Sequence, residues 1–438
     1  MSVRLDLDDM QGLIARGYGK LPHAAYLLLQ ITDADPAREV LRGWAEDVTT
    51  ADAAPESVAT NLALSTAGIA KLGGSPLLAA FSHQFGEGMV TPHRSRLLGD
   101  LDENDPAGWA WGGPGTDVVH ALALVYSNDP TTLAARCDEL GTAPGLRLVQ
   151  RLDTAPVTPT ESFGFADGIS QPWLEGLGPA PSGSDLVRAG EFVLGYPNEY
   201  DQLTPRPLLP DGLDIGRNGC YLVMRQLRQD VDGFWGFLDA AATGADGRVD
   251  VAQRDLLAAK MMGRWPSGAP MALAPEHDDP SLATANDFGY GELDKQGMAC
   301  PVGAHVRRAN PRDSLEPSPG TAESRAINRR HRLLRRGRAY GDPGTEQGLH
   351  FICLGGNLAR QFEFVQHTWV NNPDFGGLYG EEDPVIGPRR CDDSRFTVPD
   401  TPARRRVREL PQFVQVRGGG YFFLPGVRAL RYLAREQP

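Results

Sequence analysis

Four stretches of the chain carry side chains able to do chemistry. Gly164-Phe165-Ala166-Asp167-Gly168-Ile169-Ser170-Gln171-Pro172 sets one carboxylate between two glycines. Glycine lets a backbone turn sharply and approach a flat ligand closely. A carboxylate held in such a turn can serve as a general base, although an ordinary Asp-Gly turn accounts for the same residues. Cys300-Pro-Val-Gly-Ala-His305-Val-Arg307-Arg308-Ala-Asn310-Pro311-Arg312 offers an imidazole followed by three guanidiniums. A neutral imidazole is a common axial ligand to haem iron, and Arg307, Arg308 or Arg312 would match the carboxylates of such a group bidentately. The plain reading is a solvated basic stretch. His331-Arg-Leu-Leu-Arg335-Arg336-Gly337-Arg338-Ala-Tyr340-Gly341 is either a charge run in water or the source of a fixed cation beside a cofactor. In Gly348-Leu-His-Phe351-Ile-Cys-Leu354 and Arg360-Gln-Phe362-Glu363-Phe364-Val-Gln366-His-Thr-Trp369, the apolar residues Phe362, Val365 and Trp369 recur at helical spacing, as in a core. Glu363 is the exception: a buried carboxylate needs a partner, and the free N–H of a metal-bound imidazole is one.

Elements from distant parts of the chain have to bring these residues together. Residues 26–31 and 118–125 each read as an apolar strand, and each is followed by Asp-Pro (35–36 and 129–130) and a helix-like stretch. Asp at the N-cap accepts an otherwise orphan N–H, and Pro loses nothing at the first helical position. Residues 61–64 add a short strand. Strand–helix units repeated in this way predict a split βαβ, ferredoxin-like domain. Residues 176–215, rich in Gly, Pro, Ser and Asp, read as irregular connection, as do 266–300. Strands restart at 219–225 and 350–354, and helices at 231–242, 251–261 and 358–369. An aromatic strand at 418–425 closes the chain. Two α+β domains follow, residues 1–215 and 216–438.

Composition bounds the partners. A chain of 438 residues suits two domains. Lys plus Arg number 43 against 56 Asp plus Glu, and the net charge of −13 argues against nucleic acid or an anionic membrane as partner. No apolar run is long enough for a membrane span, and the opening MSVRLDLDDMQG lacks the basic-then-apolar pattern of a secretory signal. Cys137, Cys220, Cys300, Cys353 and Cys391 are odd in number and form no CxxC. Reduced thiols in the cytoplasm are the simplest expectation.

Taken in order, the motifs resemble those of the dye-decolorising peroxidase family over nearly the whole length. Gly164-Phe-Ala-Asp167-Gly168 matches the family's GxxDG motif. Ala304-His305-Val-Arg307 followed by Asn310-Pro311-Arg312 looks like its proximal histidine segment. Leu333-Leu-Arg335-Arg336-Gly337 ending in Ala339-Tyr340-Gly341 is similar to its distal arginine segment. The blocks Gln361-Phe-Glu-Phe-Val-Gln366, Asn218-Gly-Cys-Tyr-Leu-Val-Met-Arg225 and Gly418-Gly-Gly-Tyr-Phe-Phe-Leu-Pro425 match too.

The resemblance implies an α+β fold of two ferredoxin-like domains with antiparallel sheets, of the dimeric α+β barrel type. It implies one haem b per chain, bound in the C-terminal domain through His305 and facing the Asp167 loop. The activity it implies reduces hydrogen peroxide while oxidising dyes, phenols or similar small one-electron donors. Asp167 would move the proton and Arg335 stabilise developing charge, with Arg336 as the alternative. Gly168, Ile169, Ser170 and Gln171 would border the haem from one side, and Arg307, Phe351 and Phe364 from elsewhere. Glu363 would hydrogen-bond His305, with Asp374, Asp383 and Asp392 as alternatives. Trp369, Tyr340 and Trp265 are candidates to carry electrons to bulky donors, against core packing. Because Asp167 acts only while ionised, activity at mildly acidic pH is expected, with burial raising its pKa and Arg335 lowering it. Monomer and homo-oligomer both fit. The rivals are a haem carrier or iron-releasing protein on the same scaffold, and a cofactor-free interaction protein.

Overall fold

In the computed structural model, residues 3–180, 185–389 and 393–435 are described. The first half supplies strands β1 (His23–Ile31), β2 (Val58–Ser65), β3 (Ala121–Ser127) and β4 (Leu146–Asp153). They pair antiparallel in the order β4-β1-β3-β2. Strand β1 is almost continuously apolar because both of its faces are buried. Leu27 and Leu29 join one core with Trp44, Leu62 and Phe85, while Tyr26 and Leu28 join the other with Leu124 and Phe192. The helix Pro130–Gly141 starts as expected, with the Asp129 side chain accepting the Thr132 N–H. The helix Ala34–Asp47 starts earlier than expected, because Asp33, not Asp35, is its N-cap. Strand β3 begins only at Ala121. The His120 ring takes the Ile31 N–H at 3.0 Å, a bond that a longer ladder would have used.

Two short strands, β5 (Trp173–Leu174) and β6 (Leu186–Val187), pair parallel within the irregular connection. The second half then gives β7 (Cys220–Gln229), β8 (Leu334–Arg335), β9 (Arg338–Tyr340) and β10 (Gly348–Gly355). A hairpin of β11 (Arg395–Val398) and β12 (Arg405–Arg408) follows, and then β13 (Val414–Leu424). The order here is β13-β7-β10-β8, with β9 also on β10. Counting β8 and β9 as two pieces of one strand, each half runs fourth-first-third-second, the ferredoxin-like order. The halves do not keep separate sheets. Phe422 and Phe423 of β13 pair with Ser65 and Leu64 of β2, so the strands form one nine-stranded sheet.

The segment expected as a helix at 358–369 winds with wider turns. Ala359–Glu363 and Val365–Val370 are π-helical, with Glu363 N–H donating to Leu358 and Asn371 N–H to Gln366, each at 2.9 Å. The Gln361 carboxamide sits under this turn. It donates to the carbonyls of Glu191 and Arg332 and accepts the Asn357 N–H. Such turns concentrate at functional sites, and this one changes which side chains face which way. Among the described residues no helix is long and apolar enough to cross a membrane.

Candidate active site

The sheet's second half provides the floor of a cavity. Side chains alternate along a strand, so Arg225, Leu227 and Gln229 of β7 share a face with Leu349 and Phe351 of β10 and with Val414 and Val416 of β13. The register pairs Leu227 with both Leu349 and Val416, and Arg225 with Phe351. Above this floor lie two lobes of a cavity, both bordered by His305, Val306 and Arg335. A mainly apolar hollow with a few convergent polar groups is the usual form of a cofactor site.

His305 opens the short helix His305–Ala309. Arg308 locks that helix in place: its guanidinium donates to the carbonyls of Gly303, Trp369 and Asn372, and also to that of Glu381. The last contact brings up the neighbouring Asp383, whose Oδ2 lies 2.9 Å from His305 Nδ1. Asp383 is fully buried, and its other oxygen accepts the N–H groups of Val385 and Ile386. The geometry assigns the ring proton to Nδ1, leaving Nε2 with no protein partner among the described residues. Burial alone would push the His305 pKa down and that of Asp383 up, but their mutual attraction reverses both shifts. A carboxylate behind an imidazole in this way makes the far nitrogen a stronger donor to a metal.

Across the cavity stands Asp167. Gly164 and Gly168 flank it with φ of 94° and 80°, in the left-handed region that favours glycine. Asp167 Oδ1 accepts both the Gly168 N–H (2.6 Å) and Arg335 Nη1 (2.9 Å), so Oδ2 is left without a protein partner among the described residues. Burial raises the Asp167 pKa, but the Arg335 charge and the two hydrogen bonds outweigh it and hold the carboxyl below its ordinary value. Gln171 fixes Arg335 from behind by accepting its backbone N–H at 3.0 Å. Gly168, Ile169 and Ser170 line the cavity, and so does Phe351.

Several expectations are corrected. Glu363 does not reach His305. The π turn sends Phe362 into the cavity and Glu363 the other way, where it accepts from Arg94 (2.6 Å) and Tyr421 (2.9 Å). Asp383 takes the role expected of it, and Asp392 lies outside the described residues. Arg307 turns away from the cavity to Asp294 and the Cys300 carbonyl, over the Tyr290 ring. Phe364 stacks on His331 at 3.9 Å, outside the cavity. Arg336 reaches the carbonyls of Leu13 and Ile14, which leaves Arg335 as the arginine that faces Asp167. Trp265, Tyr340 and Trp369 are all buried.

Glu161 and Arg332 are among the polar groups at the cavity that no motif pointed to. Glu161 lines the smaller lobe beside Asp167. Arg332 lines the larger one, held by Asp185 at 2.8 Å and the Ser170 carbonyl at 2.9 Å. Ser170, Asn310 and Arg332 also border a polar pocket that contains Arg312. These residues fit a haem: an imidazole nitrogen without a partner, apolar walls for a flat macrocycle, and guanidiniums at one end for its carboxylates.

No family model matches the chain. It is 31% identical to a dye-decolorizing peroxidase of Exidia glandulosa, over 97% of this chain and 86% of that protein. It is 30% identical to the dye-decolorizing peroxidase msp1 of Mycetinis scorodonius, over 98% and 88%. The crystal structure of a decolorizing peroxidase from Auricularia auricula-judae superposes with a TM-score of 0.83 at 26% identity, covering 98% of this chain and all of that one. With relatives this similar from end to end, on the same fold, the chain belongs to the dye-decolorising peroxidase family and is a peroxidase.

Proposed function

We propose that the protein binds one haem b per chain in this cavity, with His305 Nε2 as iron ligand, and uses Asp167 and Arg335 to handle hydrogen peroxide. The observation that carries the reading is that His305 and Asp167 line the same cavity, each with one polar atom, Nε2 and Oδ2, that has no protein partner among the described residues. Arg332, with Arg312 alone of the three arginines expected there, would hold the haem carboxylates. Bound haem supplies the redox-active iron at which peroxide is reduced and which small one-electron donors, such as dyes or phenols, then re-reduce.

The chain's own residues do the rest. Asp167 Oδ2 takes a proton from one peroxide oxygen and returns it to the other, which departs as water. Arg335 orients Asp167 through Oδ1 and stabilises the negative charge that develops as the O–O bond breaks. A preorganised charge in a water-poor site is commonly the largest catalytic contribution. The lowered Asp167 pKa keeps the base ionised into the acidic range. Asp383 holds the His305 ring and its tautomer. The second half of the chain, from 216, carries the haem ligand, and the first half, to 215, carries the Asp167 loop. Cys137, Cys220, Cys300 and Cys353 are buried and unpaired, which supports a reducing, cytoplasmic location. The test is to load the protein with haem and follow peroxide consumption with a phenolic donor. Sustained turnover is expected, and tight haem binding without turnover would favour a haem carrier.

A further inference from the structure

The loop that presents Asp167 is closed by a side chain that belongs to no motif. The Glu161 carboxylate folds back on its own chain. It accepts the Phe165 N–H at Oε1 and the Phe163 N–H at Oε2, each at 3.0 Å. Glu161 N–H donates to the Phe165 carbonyl, and Gly164 N–H to the Glu161 carbonyl. Gln229 Nε2 of β7 donates to Oε2 at 2.6 Å and so ties the loop to the cavity floor. The rings of Phe163 and Phe165 anchor the same turn in a core with Phe234. Asp167 leaves this closed turn two residues after Phe165, so its direction into the cavity is set by the turn.

We propose that Glu161 is the positioning residue of the peroxide reaction: its carboxylate holds the 161–168 loop so that Asp167 faces the cavity. A carboxylate suits this place because it accepts three hydrogen bonds at once and has no donor to oppose the two backbone N–H groups. A glutamine there would turn its NH2 toward at least one of them. The cost falls on alignment, and a misplacement of about 1 Å can slow a reaction on the order of a hundredfold.

The inference rests on Asp167 as the proton-handling group, and the experiment separates the two. Haem-loaded wild type, Glu161→Gln, Gln229→Leu and Asp167→Asn are compared by stopped-flow reaction with peroxide. Hydrogen exchange of the 159–170 segment is followed alongside. Glu161→Gln should retain haem absorption, react with peroxide at least about tenfold more slowly, leave the donor-oxidation step unchanged and exchange the Phe163 and Phe165 amides faster. The charged groups facing Asp167 are Arg335, His305 and Glu161. The Glu161 pKa is held above and that of Asp167 below its ordinary value, so Glu161 is already neutral where Asp167 takes up its proton, and the acid limit of the peroxide reaction should stay in place in Glu161→Gln. If Glu161→Gln fails to fold, Gln229→Leu decides: a slower peroxide step with an unmoved acid limit supports the brace, and a wild-type rate overturns it. A wild-type rate in Glu161→Gln beside a slow Asp167→Asn overturns the proposal alone. A wild-type rate in Asp167→Asn overturns the reading beneath it.

Discussion

Two aspartate–arginine pairs line the same cavity and differ in the properties that govern proton transfer. Asp167 and Arg335 expose 41% and 35% of their side chains, and the surface they expose faces the cavity. Asp100 and Arg225 expose 2% and 5%. Arg225 also lies over the Trp109 ring, 5.9 Å from its centroid. Burial pushes the Asp100 pKa up despite its arginine, whereas Asp167 ends below its ordinary value. The second Asp100 oxygen is walled in without a partner among the described residues, while the more exposed Asp167 lines the cavity. A guanidinium beside a carboxylate does not by itself make a base. An accessible second oxygen and a backbone N–H that favours the charged form make the difference.

That contrast can be broken from either side. Asp167→Asn should slow the reaction with peroxide by about 10²- to 10⁴-fold, the usual contribution of a positioned base, while shifting stability by no more than about 1 kcal/mol. Asp100→Asn should do the reverse. Stranding Arg225 should cost about 3–5 kcal/mol in denaturant unfolding, with the peroxide step unchanged in the folded protein. Equal kinetic losses in both would erase the distinction. Next in size, Asp383→Asn should weaken haem binding about 10- to 100-fold in a haem titration, as loss of a ligand's hydrogen-bond partner commonly does.

Smaller effects sharpen the picture. Arg335→Leu removes the cation that lowers the Asp167 pKa, so Asp167 should take up its proton at higher pH. The acid limit of the peroxide reaction should then move upward, and an unmoved limit in stopped-flow profiles would detach Arg335 from Asp167. In the wild type the sign is the usual one for a lowered carboxylate: activity is present above the ordinary carboxylate pKa and lost only as pH falls through the lower folded-state value. Smallest of all, Glu363→Gln should leave the ferric/ferrous potential where it is, whereas Asp383→Asn should raise it.

The residues that could be read in the sequence are those held by short motifs. Asp167 sits between glycines whose left-handed backbone only glycine adopts freely, and His305 stands at the head of its own helix. Partners that meet through space were harder to read. Glu363 was the first choice for the His305 bond and Asp383 one of three alternatives, and the π turn at 359–370 turned Glu363 away by changing the phase of the side chains. Periodicity assumes a turn of constant width and could not show this. Arg307, Arg308 and Arg312 look alike in sequence and all three donate to backbone carbonyls, yet only Arg312 borders the pocket beside the cavity. Strand β4 was missed because it is an edge, where exposed arginines such as Arg147 are tolerated. Strands β8 and β9 were hidden inside a charge run for the same lack of apolar alternation.

The claim that supports the others is that His305 Nε2 is the iron ligand of a haem seated on the β7–β10–β13 floor. The direct measurement is a haem titration of His305→Ala beside the wild type, followed in the Soret band. The wild type should saturate at one haem per chain, and the variant should lose the band or bind far more weakly. An unchanged spectrum and affinity in His305→Ala would contradict it.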